Sequence, residues 1–237
     1  MLDQQEEATY IRDVLDRKNT ILQEIRDALN RSHQHHDVRV IAVTKYIDET
    51  KARLLPMAGI TDCAENRLQV AEPKLAAHMP VLWHFIGPVQ MNKAKKVAQY
   101  FDFVHSVDRK ELLDALDRYR TVEKPLQVFL QVNISHEPQK SGVDPESVVD
   151  LAIHCLSKAH LQLAGLMMIG TRYDDMTLVR NEFRMLRGLR DDLLERLSLP
   201  KLELSMGMSQ DFSVAVEEGA TMVRIGRFLV LEENPRT

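Results

Sequence analysis

Residues 38–45 read VRVIAVTK, a nearly unbroken apolar run that ends on a threonine and a lysine. A strand with apolar residues at consecutive positions is buried on both faces, as in a parallel sheet covered by helices. Seven more runs of this kind follow. They are TDCAEN from Thr61, VLWHFIG from Val81, FDFVHSVD from Phe101, LQVFLQVN from Leu126, LQLAGLMMIG from Leu161, LELSMGMS from Leu202 and TMVRIG from Thr221. Most are separated by segments of helical spacing. Leu178, Met185, Leu186, Leu189, Leu193 and Leu197 make one stripe, and Val148, Val149, Ala152, Ile153 and Leu156 another. Asp144 and Pro145 stand before the second as N-cap and first helical residue. Eight strands alternating with helices predict an α/β fold, a closed (β/α)8 barrel of TIM type. A doubly wound open sheet produces a similar string, but no GxGxxG follows an early strand.

Working outward, Ile11, Val14, Leu15, Ile21, Leu22, Ile25 and Leu29 share one face and predict an amphipathic helix over about 3–31. The barrel is expected over about 38–230, and no linker rich in Pro, Gly or Ser divides residues 1–237, so one domain is expected. A net charge of −4 gives no general attraction to nucleic acid or anionic membrane. Lys93, Lys95 and Lys96 read as the solvated face of a helix. Cys63 and Cys155 form no CxxC pair, the start MLDQQEEATY has no secretory character, and no apolar run reaches membrane-span length. A cytoplasmic protein is expected. His33, His35 and His36 lack partnering ligands and read as a solvated linker, so no metal is expected.

Strands buried on both faces should be apolar, so polar residues at their C-terminal ends are informative. Those ends form the mouth of a (β/α)8 barrel, where ligands bind. In chain order they carry Lys45, Glu65 with Asn66, His84, Asn133, Ser205 to Ser209, and Arg224 before Gly226. A lysine held against so apolar a strand is expected to lose hydration, which favours the neutral amine needed for imine formation. Taken alone, Lys45 suits a Schiff-base aldolase equally well. After strand seven, Gly207 allows close backbone approach and Ser209 offers a hydroxyl. Gly226 and Arg227 after strand eight add backbone donors, at the usual phosphate position of this fold. Lysine and cradle meet across the barrel seam, which suits a phosphorylated aldehyde. Arg224 interrupts an apolar strand and needs a partner, either an internal salt bridge or a ligand acceptor such as a pyridine nitrogen.

The segments AVTK (42–45), AEN (64–66), WHFIGPVQMNK (83–93), KSG (140–142), GLMMIG (165–170), LSMGMSQD (204–211) and VRIG (223–226) resemble the pyridoxal phosphate homeostasis proteins of YggS/PROSC type. The resemblance runs in order from about Val38 to Gly226. It implies a fold similar to the N-terminal barrel of alanine racemase without the second domain, and pyridoxal 5′-phosphate (PLP) as cofactor. Lys45 would carry the Schiff base, Ser205, Met206, Ser209, Gly226 and Arg227 would surround the phosphate, and Asn66 and His84 would line the pocket. Arg224 would face the pyridine nitrogen. It further implies a monomer that buffers vitamin B6 inside the cell and delivers it to PLP-dependent apo-enzymes, with little or no turnover. The chain departs from the family pattern at Ala64 (usually Gly), Arg67 (often Tyr), Arg227 (often Thr) and in the tail FLVLEENPRT, which leaves the phosphate ligands in question.

A PLP-dependent amino-acid racemase is the alternative. It needs bases on opposite faces of its substrate, and only Tyr46 or Tyr173 stand as candidates beside Lys45. Lys140, on the loop after strand five, is either a second, weaker PLP attachment point or an ordinary loop lysine.

Overall fold

The computed structural model describes residues 3–135, 141–171 and 175–231. Eight parallel strands close into a barrel in sequence order: β1 (Arg39–Val43), β2 (Asp62–Glu65), β3 (Leu82–Phe85), β4 (Phe103–Val107), β5 (Leu126–Gln131), β6 (Leu161–Met167), β7 (Glu203–Met208) and β8 (Met222–Ile225). The expected (β/α)8 fold is present, and closure comes from pairing of β8 with β1, Ile41 opposite Arg224 and Ala42 opposite Ile225.

Side chains alternate along each strand, so each strand gives one set to the barrel interior and one to the layer beneath the helices. Ile41, Val43, Ala64, Phe103, Phe129, Met167 and Met222 pack inside the barrel. The outer layer is larger and includes Cys63, Trp83, Val104, Leu130, Leu166, Met206 and Val223. Both cysteines are buried and free.

The helices are α1 (Gln4–Arg31), α2 (Glu49–Ala52), α3 (Leu68–Ala76), α4 (Ala94–Tyr100), α5 (Lys110–Tyr119), α6 (Val148–Leu156), α7 (Met176–Arg196), α8 (Phe212–Glu217) and α9 (Arg227–Val230). The expected start of α6 shifts: Pro145 opens a short 3-10 turn, and the Asp144 side chain makes no capping bond. α1 begins with a capping box, in which Asp3 accepts from the Glu6 N–H and the Glu6 carboxylate accepts from the Asp3 N–H. Its buried stripe is Tyr10, Val14, Ile21, Ile25 and Ala28, rotated from the expected face so that Leu15 is exposed. Among the described residues, only the one-turn α9 follows β8 on the outside of the β8–β1 seam. α1 packs against α8, α9 and the turn after α2, and so covers that seam. The Tyr10 hydroxyl donates to the Val230 carbonyl at 3.0 Å and Lys18 Nζ to the Gly59 carbonyl at 2.6 Å, holding it there.

Between the last turn of α3 and the end of β2 lies a buried ion pair. Lys74 Nζ meets Glu65 Oε1 at 2.5 Å with both side chains nearly inaccessible, and donates to the Thr44 carbonyl at 2.7 Å. The Thr44 hydroxyl donates to the same carboxylate oxygen at 2.6 Å. Removing one partner would leave an uncompensated buried charge, which costs about 3–5 kcal/mol. Lys74→Ala should therefore lower the unfolding free energy by roughly that amount in urea titration. The double variant Lys74→Met/Glu65→Leu should recover most of the loss.

Candidate functional site

The C-terminal ends of the strands meet at one mouth. The Thr44 N–H still bonds to the Ala64 carbonyl at 3.0 Å, so Lys45 is the first residue to leave the sheet. Lys45 is exposed, with Nζ 4.9 Å from the centre of the Tyr46 ring. The expected dehydration of this lysine is therefore not found. The apolar strand stops at Val43, and the side chain projects into open solvent at the rim.

Across the seam, a β-carbon on Gly226 would lie 3.0 Å from the Tyr46 ring, so Lys45, Tyr46 and Gly226 gather at one point. Arg227 is exposed beside them. At the end of β7, Gly207 has φ +91°, and a β-carbon there would stand 2.7 Å from Cβ of Ala215. Only glycine fits both the angle and the space. The following loop is tied down by Asp211, whose carboxylate accepts from the Met208 N–H at 2.5 Å. Burial pushes the Asp211 carboxyl above its ordinary value, with Arg224 pulling it back. Ser209 is half-buried on this loop. Met206 points into the outer layer, so only its backbone can serve the mouth.

Asn66 is half-buried on the rim, whereas Glu65 is wholly buried in the ion pair behind Lys45. A second opening of about 210 Å³ lies at the ends of β3, β5 and β6, between Ile86, Pro88, Asn133, Ile134 and Ile169. Lys140 and Tyr173 lie outside the described residues.

Arg224 points into the barrel and is 3% exposed. Its two terminal nitrogens donate to the Ser205 hydroxyl and the Met168 carbonyl, each at 2.8 Å. Among the described residues it forms no salt bridge, so that alternative is set aside. Burial lowers its pKa to about 10, which leaves it cationic at neutral pH.

The same Ser205 hydroxyl meets His105 Nδ1 at 2.8 Å, His105 Nε2 meets His84 Nδ1 at 2.9 Å, and His84 Nε2 meets Asp62 Oδ1 at 2.9 Å. Arg39 reaches Asp62 at 3.3 Å from the opposite end of the barrel. Phe103 stacks on His84 at 4.2 Å and Phe129 on His105 at 4.3 Å. Two expectations are corrected here. His84 does not line the mouth, because both its ring nitrogens are engaged inside the barrel. Ser205, expected among the residues around the phosphate, has its hydroxyl shared by Arg224 and His105 inside the barrel, which leaves its backbone for that role. Lys74, Asp62 and His105 were not singled out in the sequence. The available signal was parity: His105 stands two residues after Phe103, as His84 stands two after Leu82, on the inward-facing side.

The family model described as "Alanine racemase, N-terminal domain" matches residues 20–233. The pyridoxal phosphate homeostasis protein of Pasteurella multocida (strain Pm70) is 37% identical over 213 residues, 87% of this chain and 91% of that one. That of Pseudomonas aeruginosa is 42% identical over 195 residues, covering 81% and 83%. The chain belongs to the pyridoxal phosphate homeostasis protein family. PipY of Synechococcus elongatus PCC7942, solved with PLP bound, superposes with a TM-score of 0.79 at 31% identity over 92% of this chain and 99% of that one. Alanine racemase of Clostridium difficile 630 shares the fold alone, with a TM-score of 0.66 at 14% identity over 88% of this chain and 56% of that one.

For this family member, the buried histidines make stability depend on pH. Loss of hydration holds His84 and His105 below their ordinary 6.5. As pH falls below 6.5, the unfolded chain takes up protons that the folded chain refuses, and stability is lost until the folded values are reached. Asp62, held below 3.8, adds a further loss at lower pH as its folded value is crossed. Asp211 acts in the opposite sense, costing stability as pH rises from 3.8 through its raised value. The urea midpoint should fall between pH 6.5 and about pH 5, and His105→Gln should flatten that fall. Measuring the midpoint at fixed ionic strength in both proteins checks it.

Proposed function

We propose that this chain binds pyridoxal 5′-phosphate at the barrel mouth through a Schiff base to Lys45 and serves intracellular vitamin B6 homeostasis with little or no turnover. The observation that carries this reading is the seam itself. An exposed lysine after β1 stands beside the glycines of β8, its neighbour across the seam, and of β7, the strand beyond. Beneath them is a buried guanidinium that, among the described residues, has no hydrogen-bonded carboxylate. The residues present fit the cofactor. Gly207 keeps the β7 loop close enough for backbone donors to approach a phosphate, Gly226 leaves room beside Tyr46, and Ser209 and the exposed Arg227 supply a hydroxyl and a cation. The family's usual threonine hydroxyl after Gly226 is thereby exchanged for a positive charge.

The cofactor supplies an aldehyde for covalent attachment and a ring that withdraws electrons. Arg224, protonated at neutral pH, can donate to a ring nitrogen but does not readily hand over its proton, which weakens the ring as an electron sink. Tyr46, the described candidate for a second base, packs its ring against the Lys45 ammonium and Gly226. It stands on the lysine's own side of the site, whereas a racemase needs a base on the opposite face. Both observations favour holding the cofactor over turning over a substrate. The PipY structure with PLP bound supports the ligand assignment.

The same reading includes one domain spanning the chain, a monomer, a cytoplasmic location and PLP-dependent apo-enzymes as recipients. Two buried free cysteines fit a reducing compartment, and no described helix is long and apolar enough to cross a membrane.

Purified protein mixed with PLP should develop a visible absorbance band that borohydride fixes covalently, with the label on a peptide containing Lys45. Lys45→Ala should show neither band nor label while unfolding at the same urea concentration. Absence of a band in the unaltered protein with excess PLP would overturn the assignment.

A further inference from the structure

The bonds inside the barrel have a forced direction. A guanidinium can only donate and an ionised carboxylate can only accept. Arg224 therefore gives a proton to Ser205 Oγ, and the single proton of that hydroxyl is left for His105 Nδ1. His105 must then carry its own proton on Nε2, where it faces His84 Nδ1. His84 in turn carries its proton on Nε2 and gives it to Asp62. Every donor along the line meets an acceptor when both imidazoles are neutral and protonated on Nε2. Adding a proton to His84 sets two N–H groups head to head at 2.9 Å unless His105 also changes tautomer, and then the Ser205 hydroxyl loses its acceptor.

We infer that His105 and His84 are positioning residues for Arg224, forming with Ser205 and Asp62 a one-directional hydrogen-bond relay that fixes how the guanidinium meets the ligand. The inference rests on the reading in which Arg224 faces the pyridine nitrogen of PLP. Several features make the relay more than packing. The two rings are wholly buried, each stacks on a phenylalanine that sets its plane, and the groups come from five strands, β1, β2, β3, β4 and β7, converging on β8. A buried polar chain of this kind strengthens along its length when every member is satisfied, and is costly when one is not. The titratable or charged groups that face it are Asp62, Arg39 and Arg224, with Asp102 and Asp211 acting from further away. Loss of hydration keeps both imidazoles neutral, as the relay requires.

The consequence is specificity. A guanidinium fixed by Ser205 and the Met168 carbonyl turns its remaining N–H groups one way, so the ligand atom opposite must be an acceptor. A pyridine nitrogen meets that requirement and a ring C–H does not.

Two measurements test this on the full-length chain. The first is 15N NMR of histidine-labelled, otherwise unaltered protein at neutral pH, with and without PLP, the two signals being assigned from His84→Gln and His105→Gln. Both rings should be neutral Nε2–H tautomers with slowly exchanging protons. A charged ring or an Nδ1–H tautomer at either position overturns the relay, and the tautomers themselves are read in the unaltered protein.

The second compares PLP with its 1-deaza analogue, which keeps the aldehyde and phosphate but carries C–H in place of the ring nitrogen. Unaltered protein should prefer PLP by about tenfold, the worth of one hydrogen bond to a charged donor. In His105→Leu the preference should fall to within about twofold, with affinity for the analogue little changed. Equal weakening toward both ligands would assign His105 a merely structural role and overturn the inference. No preference in unaltered protein would instead overturn the placement of Arg224 against the ring nitrogen, a failure visible before any variant is made.

Discussion

Closure of the sheet between β8 and β1 is the constraint from which the rest of this structure follows. An open sheet could send a polar side chain to solvent at its edge, whereas a closed eight-stranded barrel has a packed interior. Any polar group directed inward must be satisfied by another inward-directed group. Arg39, Asp62, His84, His105, Ser205 and Arg224 meet this condition by bonding in line, and they do so across strands distant in sequence. Closure also sets Lys45 beside Gly226, residues 181 positions apart in the chain, because the first and last strands become neighbours. The covering helix α1 belongs to the same logic. It shields the seam at which, among the described residues, the last strand is followed by one helical turn.

Two polar networks support the mouth from below, and they support different kinds of group. Beneath Lys45, the Lys74–Glu65 pair and the Thr44 hydroxyl hold the backbone from which its side chain springs. The lysine's own atoms are left exposed, so it can reach an incoming aldehyde. Beneath the cradle, the Ser205 hydroxyl at the end of the histidine line and the Met168 carbonyl hold the Arg224 guanidinium itself. The rim lysine is anchored through its main chain and free at its tip, and the buried arginine is fixed at its tip. A covalent anchor needs the first arrangement and recognition of a ring edge needs the second.

The strand runs and helical stripes were legible because buried strands and amphipathic helices each impose a period on the sequence. The Lys45 rim position and the Gly207 and Gly226 turns were legible for a related reason, since a polar or glycine residue at the end of an apolar strand breaks the pattern. Depth was not legible. His84 and Ser205 stand in strand-end motifs like Asn66 and Ser209, but barrel stagger sets the first two inside and the second two on the rim. Nor was pairing legible. Lys74 sits in a helix sequence where lysine is ordinarily solvated, and only the fold shows Glu65 beneath it. The rotation of the α1 stripe has the same origin, because Tyr10 and Ala28 are buried by partners that only the fold brings against them, the Val230 carbonyl on the Tyr10 hydroxyl among them.

The distance between Arg224 and its compensating carboxylate bears on the choice between holding and turning over a ligand. A cation paired directly with Asp or Glu would present little net field at the mouth. Here the nearest hydrogen-bonded carboxylate is Asp62, reached only through a hydroxyl and two imidazoles, and Asp211 acts on Arg224 through space, so no described carboxylate neutralises the guanidinium by direct contact where a ligand would sit. That field favours an anionic, phosphate-bearing ligand and opposes protonation of a ring nitrogen pressed against it. The first effect tightens binding, and the second denies the ring the charge that would stabilise a carbanion. On the proposed reading, retention of the cofactor and weak chemistry upon it would have one physical source in the interior of this barrel.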